Sequence, residues 1–154
     1  MKINVKVKNI VLLVNAFNNA YIAYHNTIGA IVLGCDIPKK LEPLRDVSEK
    51  TLMKRLECLK NIYEQLIEKE KEKENAIEEI ELEIEDITSF AIALNNACIS
   101  FSDIVFRTFW GMDLPTKLEK LSTIPEEELQ DRFICLKDMY EQITKIEKEK
   151  MLLK

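Results

Sequence analysis

Apolar and polar residues alternate one by one at the start of the chain and again just past its middle. Every second residue is apolar in two short stretches, at Ile3, Val5 and Val7 and then at Ile80, Leu82 and Ile84. A period of two is typical of a strand with one buried face, so we predict strands at 2–8 and 79–85. Their polar faces carry mostly Lys in the first stretch and Glu in the second. Because opposite charges on neighbouring strands attract, we expect the two strands to pair as a ribbon.

Four longer segments repeat apolar residues every three or four positions, which is the period of an amphipathic helix. They cover residues 9–33, 47–76, 86–110 and 124–152. Gly34 and Gly111 follow the first and third segments, in the position where glycine often ends a helix. Asp46 and Thr123 precede the second and fourth, and each has Glu three residues later. This spacing predicts a capping box at the start of both helices.

The middle of the chain has an alternative interpretation. A 3–4 spacing also runs through Ile77, Ile80, Ile84, Ile87, Ala91 and Leu94, and Glu favours helices. One very long central helix over about 47–110 would then make the fold all-α. We favour the strand, because residues 4–7 are poor helix formers and the two stretches are expected to adopt the same structure.

The whole pattern is written twice with an offset of 77 residues. Between residues 34–73 and 111–150, 20 of 40 positions are identical, which points to a tandem duplication. We call residues 1–77 repeat 1 and residues 78–154 repeat 2. Each repeat predicts a strand followed by two helices, and 77 residues make a marginal core. We therefore expect a mainly α protein, an elongated four-helix bundle with a small two-stranded ribbon, in which both repeats share one domain about a pseudo-two-fold axis.

Charge is divided unevenly between the repeats. The chain has a net charge of −5, with +3 in repeat 1 and −8 in repeat 2. An acidic second repeat argues against a nucleic-acid surface spread over both. The apolar stretch 10–14 is soon interrupted by Asn residues and recurs in mid-chain, so we expect neither a signal peptide nor a membrane span.

Residue types that carry catalysis are sparse and do not cluster. The four cysteines, Cys35, Cys58, Cys98 and Cys135, form no CxxC motif and have no histidine at metal-ligand spacing. His25 is the only histidine, and three glycines cannot form a Gly-rich phosphate loop. We expect a non-enzymatic protein without metal or cofactor, with Cys58 and Cys135 buried and reduced in a cytoplasmic setting.

Asparagine pairs stand in the middle of both first helices. On a helical wheel Asn18 and Asn95 flank the apolar face, whereas Asn19 and Asn96 point away from it. Together with Tyr63 and Tyr140, the flanking pair predicts a polar pocket on the pseudo-two-fold axis. The alternative is that the asparagines form interhelical hydrogen bonds that fix the register of the helices.

The helix predicted at 86–110 has a second apolar face, opposite its core face. It consists of Ile92, Ile99, Phe106 and Trp110, spaced 7, 7 and 4 residues apart. We call it the outer stripe. If the stripe is not buried in the centre of the bundle, it marks an interface, where Trp is enriched. We therefore expect a protein–protein interaction module, a self-associating adaptor or a protein inhibitor, whose partner is a second copy or another protein. The alternative function is a small-molecule binder that uses the Asn/Tyr pocket.

Overall fold

The computed structural model describes residues 1–72 and 79–153 as a four-helix bundle with a two-stranded ribbon. In chain order the elements are β1 (Lys2–Lys6), α1 (Ile10–Leu33), a 3₁₀ helix (Lys39–Asp46), α2 (Glu49–Glu72), β2 (Glu79–Glu83), α3 (Ile87–Phe109), a second 3₁₀ helix (Thr116–Thr123) and α4 (Glu126–Leu152). The predicted mainly α fold is confirmed. The alternative of one helix over 47–110 is wrong, because β2 lies within that range. The predicted end of the second helix, at residue 76, lies outside the described residues.

The first helix of each repeat starts and ends as the sequence predicts. Side chains cap both starts: Asn9 accepts a hydrogen bond from the Leu12 amide, and Asp86 accepts from the Ser89 amide. These caps satisfy amide groups that have no partner within the helix. After the helices the chain turns at Gly34 (φ 72°) and Gly111 (φ 66°). This left-handed conformation costs little only for glycine.

The predicted capping boxes of the second helices are wrong. Asp46 and Thr123 are the last residues of the two 3₁₀ helices, and each α-helix begins two residues later than predicted. Before α2 the cap is Ser48, whose Oγ accepts a hydrogen bond from the Thr51 amide at 3.2 Å. Before α4 the corresponding residue is Pro125, which makes no side-chain cap.

The ribbon pairs β1 with β2 in an antiparallel register that is symmetric between the repeats. Asn4 lies opposite Glu81, its own counterpart 77 residues on, and Lys2 lies opposite Glu83. The alternating residues Ile3, Val5, Ile80 and Leu82 are buried against the helices. On the outer face, Lys2 Nζ lies 3.8 Å from Glu81 Oε1. An exposed ion pair of this kind contributes at most about 1 kcal/mol, so ribbon stability comes mainly from the buried face.

Helices α1 and α3 lie at the centre of the bundle, where the sequence predicts a pseudo-two-fold axis, and each contacts the other three α-helices. Tyr24 bonds to Asn96, and one turn further along both helices Thr27 bonds to Ser100. Both contacts advance in the same direction, so α1 and α3 run parallel. A single cluster of buried apolar side chains contains residues of both repeats.

Each second helix holds the strand of the other repeat. The Gln142 amide on α4 accepts a hydrogen bond from Lys6 N and donates one to Lys6 O, at 2.8 and 2.9 Å. Gln65 on α2 makes the same pair of bonds with Glu83, both at 2.8 Å. A two-stranded ribbon has two edges with unpaired backbone groups. The glutamines satisfy part of these edges within the chain, so fewer backbone groups of the ribbon are left to pair with another molecule.

Helix α3 is apolar enough to be compared with a membrane span. An 18-residue window within it has a mean hydropathy of 1.4, and 61% of that window is buried inside the bundle. A core helix in contact with three others has the same composition, and this is the position of α3.

Candidate functional site

The outer stripe of α3 lies on the surface of the bundle. Ile92 is 40%, Phe106 54% and Trp110 70% exposed, while Ile99 is half-buried. The rings of Phe106 and Trp110 contact each other, with centroids 5.9 Å apart. Burial of the stripe in the centre of the bundle, the alternative in the sequence, is not what the structure shows. The stripe is instead a row of apolar side chains that the described part of the chain leaves largely uncovered.

A groove with a volume of about 450 Å³ lies beside the stripe, between α3 and α4. Its apolar lining includes Cys98, Ile99, Phe106 and Phe133, and the start of the first 3₁₀ helix closes one side at residues 38–40. We call this space the α3–α4 groove. Two residues of the predicted interface, Ile99 and Phe106, therefore line a concave site, which is the shape that binding sites need.

The structure divides the four predicted polar-pocket residues between two places. Asn95 and Tyr140 line the α3–α4 groove. Asn18 and Tyr63 are not among its lining residues, and Tyr63 stacks on Phe17 in repeat 1 with ring centroids 6.4 Å apart. The groove thus combines half of the predicted pocket with half of the predicted stripe, on the flank of repeat 2 instead of the pseudo-two-fold axis.

Hydrogen bonds between the repeats occupy the middle of the axis. Asn96 Oδ1 accepts from the Tyr24 hydroxyl at 3.2 Å and from Arg55 Nη1 at 3.4 Å. At the equivalent place, Asn19 Oδ1 accepts from Arg132 Nη1 at 2.7 Å. We call these five residues the axial network. The alternative of interhelical hydrogen bonds describes the asparagines correctly, but with Asn19 and Asn96 in the role instead of Asn18 and Asn95.

Burial gives the axial network its electrostatic character. Arg132 is 9% exposed, and its Nε has no hydrogen-bond partner among the described residues. Burial raises the pKa of Tyr24, and the nearby Arg55 opposes that rise. Sequence reasoning missed both arginines. The available signal was that Arg occupies equivalent positions, 55 and 132, in both repeats, whereas the residues directly before and after it differ.

A second cleft, also of about 450 Å³, lies between the C-terminal halves of α1 and α3. Polar residues in its lining pair with one another: Thr27 bonds to Ser100 at 3.0 Å, and Asp103 Oδ2 lies 2.9 Å from Arg107 Nε. These four groups already have partners, and the opposite charges of Asp103 and Arg107 largely cancel. His25, Asn26 and Asp36 also line the cleft.

The α3–α4 groove has a basic rim and an inert thiol in its wall. Lys39, Lys40 and Lys137 are exposed at the rim, while Asp103 is paired with Arg107. Burial raises the pKa of Cys98 to about 12, so this thiol is protonated at neutral pH and is a poor nucleophile. The site offers apolar contact, hydrogen bonds and positive charge.

The other cysteines are free thiols, and Cys35 is exposed. Cys58 and Cys135 are half-buried, where the sequence predicted full burial. Burial, assisted by nearby carboxylates, still raises the pKa of each to about 11. Within residues 1–72 and 79–153, His, Cys, Asp and Glu side chains form no group of three that could hold a metal ion.

Comparison of the chain with protein-family models, with curated proteins and with solved structures finds no match. The geometry of the chain therefore carries the functional argument.

Proposed function

We propose that this chain is a non-enzymatic protein–protein interaction module that docks its partner on the α3–α4 groove and the outer stripe. The observation that carries the proposal is the exposure of Phe106 and Trp110, at 54% and 70%, beside a preformed groove. Aromatic residues next to a pocket are typical of the centre of an interface. Within this class the chain fits a self-associating adaptor or a protein inhibitor of the cytoplasm.

The size of the exposed surface sets what a partner must supply. The uncovered parts of Phe106 and Trp110 amount to roughly 250–300 Å² for side chains of this size. At about 25 cal/mol per Å², covering them stabilises a complex by about 6–7 kcal/mol before the costs of association. Those costs are about 4–15 kcal/mol. Over most of this range the two rings alone are insufficient, and a stable partner must also fill the groove and contact its rim.

The basic rim indicates the charge of the partner surface. Lys39, Lys40 and Lys137 surround an apolar groove in a chain whose net charge is −5. A partner with an apolar anchor and flanking carboxylates complements this arrangement, because complementary charge raises the association rate and opposes wrong partners.

Photo-crosslinking in the cells that make the protein tests the proposal. A photoreactive amino acid replaces Lys137, an exposed residue of the groove, and the matched control replaces Lys60, its exposed counterpart in repeat 1. We expect a defined protein adduct from position 137 that position 60 does not give. Mass spectrometry of the adduct shows whether the partner is a second copy or another protein. No adduct, or equal adducts at both positions, contradicts the proposal.

A small-molecule binder is the second candidate, and one observation favours it. The groove volume of about 450 Å³ falls within the range of ligand sites, about 300–1,000 Å³. Asn95, Ser102 and Tyr140 supply polar groups in its lining. Native mass spectrometry of protein purified from its own cells distinguishes the candidates, because a bound small molecule adds to the measured mass. Cys98→Tyr narrows the groove, so the added mass should be absent in that variant.

A further inference from the structure

Two positions that line the α3–α4 groove have aromatic residues at the equivalent positions of repeat 1. The offset of 77 places Tyr21 where repeat 2 has Cys98, and His25 where it has Ser102. The Tyr21 and His25 rings lie together, with centroids 6.4 Å apart. In repeat 2 both positions have small side chains, and both line the groove. At the groove positions repeat 1 therefore has two rings, a half-buried Tyr21 and an exposed His25, where repeat 2 has small side chains beside an open space.

An aromatic side chain of suitable size projects from the same helix. Trp110, the only tryptophan of the chain, is 70% exposed at the end of the outer stripe. An α-helix rises 1.5 Å per residue, so Trp110 and Ile99 lie about 16 Å apart along α3. If a second α3 packs antiparallel against the first and crosses it midway between these residues, each Trp110 lies level with the Ile99 of the other copy. A two-fold interface of this kind closes on itself and needs no further copies.

We propose that the occupant of the groove is Trp110 of a second copy of this chain, in a homodimer with α3 packed against α3. The inference rests on the proposed function and deepens it by naming the partner. The indole ring lies against Cys98 and Ser102, the small residues that stand where repeat 1 has Tyr21 and His25. Its N–H requires an acceptor when it is buried, and two residues with side-chain oxygens, Asn95 and Ser102, line the groove.

Charge complementarity supports a second copy as the occupant. Asp113 is exposed three residues after Trp110, so a docking Trp110 brings a carboxylate toward the lysines of the rim. Each copy also offers the lysines to the other copy's Asp113, and the two-fold arrangement makes both pairings at once. Arg107 on α3 is already paired with Asp103. It therefore does not compete with the rim lysines for Asp113.

Purified protein tests the inference by sedimentation and light scattering at increasing concentration. We expect a reversible monomer–dimer equilibrium and a shift of Trp110 fluorescence to shorter wavelength as dimer forms, because the indole leaves water. Trp110→Ala removes the occupant, and Cys98→Tyr fills the groove with the residue of repeat 1 while the stripe stays exposed. Each is expected to weaken dimerisation at least about tenfold.

The matched control is Leu33→Ala. Leu33 is the counterpart of Trp110 in repeat 1 and is 79% exposed, so its truncation is expected to leave the equilibrium unchanged. Circular dichroism shows whether each variant is folded. If Cys98→Tyr is not folded, Ser102→His replaces it as the groove-filling variant. This is the other substitution taken from repeat 1.

Two results overturn the inference. One is a wild-type protein that stays monomeric up to about 1 mM, a concentration at which weak dimers still form. The other is a dimer that persists in both Trp110→Ala and the groove-filled variant, since the dimer then uses another surface. The proposed function is tested separately from this inference. If the protein is monomeric and position 137 gives an adduct with a different protein, the second copy is refuted as the partner while the docking module is supported.

Discussion

Removing the Asn19 side chain is expected to destabilise the fold far more than its half-buried position suggests. Its Oδ1 is the acceptor for Arg132 Nη1 at 2.7 Å, and Arg132 is 9% exposed. In Asn19→Ala the guanidinium keeps one polar contact within the described residues, with Glu128 at 3.5 Å, and that carboxylate is 48% exposed. The variant therefore leaves a buried cation with one partly solvated partner.

The magnitude follows from the loss of a hydrogen bond to a charged group. Such a bond contributes about 1.5–3 kcal/mol, and a buried charge left without its partner costs a similar amount or more. We expect Asn19→Ala to lower the free energy of unfolding by about 2–3 kcal/mol. For a chain of this size, 1 kcal/mol corresponds to about 2–4 °C in melting temperature.

A double-mutant cycle isolates the interaction between Asn19 and Arg132. Arg132→Met replaces the guanidinium by an apolar side chain of similar length, and the double variant leaves neither partner unpaired. Replacement of both partners by apolar groups is often nearly neutral, so the double variant should be more stable than the sum of the single effects by at least about 1 kcal/mol. Urea denaturation followed by the helical circular dichroism signal measures all four proteins.

The equivalent pair in the other repeat is the matched control. Arg55 is half-buried, and its Nη1 lies 3.4 Å from Asn96 Oδ1, so the coupling between these two residues should be smaller. A loss below about 0.5 kcal/mol in Asn19→Ala, which is the range of ordinary surface substitutions, would refute the reasoning. Equal coupling in the two pairs would show that burial of Arg132 is not the cause.

Further predictions concern caps, the ribbon and the thiols. Asp86→Ala should lower the free energy of unfolding by about 1 kcal/mol in urea denaturation. Asp86→Asn should lower it much less, because Asn also caps helices; equal losses would contradict the capping role of Asp86. In Gln142→Ala the Lys6 amide should lose its protection from hydrogen exchange, while the amides of α1 stay protected. Unchanged protection at Lys6 would mean that the Gln142–Lys6 hydrogen bond is not formed in solution. Burial raises the pKa of Cys98 to about 12, so its contribution to stability is present below about pH 8.5, the ordinary thiol pKa, and is lost as pH rises toward 12. Cys98→Ala should make this alkaline loss shallower, and identical pH profiles refute the assignment. Cys35, the exposed thiol, should react first with a thiol reagent, as measured by mass spectrometry of the labelled peptides. If another cysteine is labelled first, the exposed position of Cys35 is wrong.

The sequence predicted the elements because their periods are strong and local. Period-two alternation around Val5 and Leu82 separated the strands from the helices, and opposite charges on the outer faces predicted that the strands pair. The axial network was assigned to the wrong asparagines for a physical reason. Helix α1 contacts three other helices, so it has more than one inward direction, and a wheel with one apolar face places Asn19 outside.

The candidate site was predictable in part. Ile99, Phe106 and Trp110 repeat at helical spacing on a face opposite the core, and this pattern is local to α3. The groove itself was not predictable, because the first 3₁₀ helix of repeat 1 closes a space between two helices of repeat 2. Comparison of Tyr21 with Cys98 across the offset was the available signal, since a small residue opposite a large one in a repeat marks a difference in packing.

The register of the ribbon has a consequence for synthesis on the ribosome. Lys6 pairs with Glu79 and its backbone is held by Gln142, so β1 emerges long before either partner is made. During that interval Ile3 and Val5 lie on an unpaired strand, which is the kind of segment that associates with other nascent chains. Lys2 and Lys6, on the polar face of β1, act as charged gatekeepers that keep such a strand soluble. We therefore expect the lysines of β1 to limit association of the nascent chain, a role distinct from the ion pair of Lys2 with Glu81 in the finished fold.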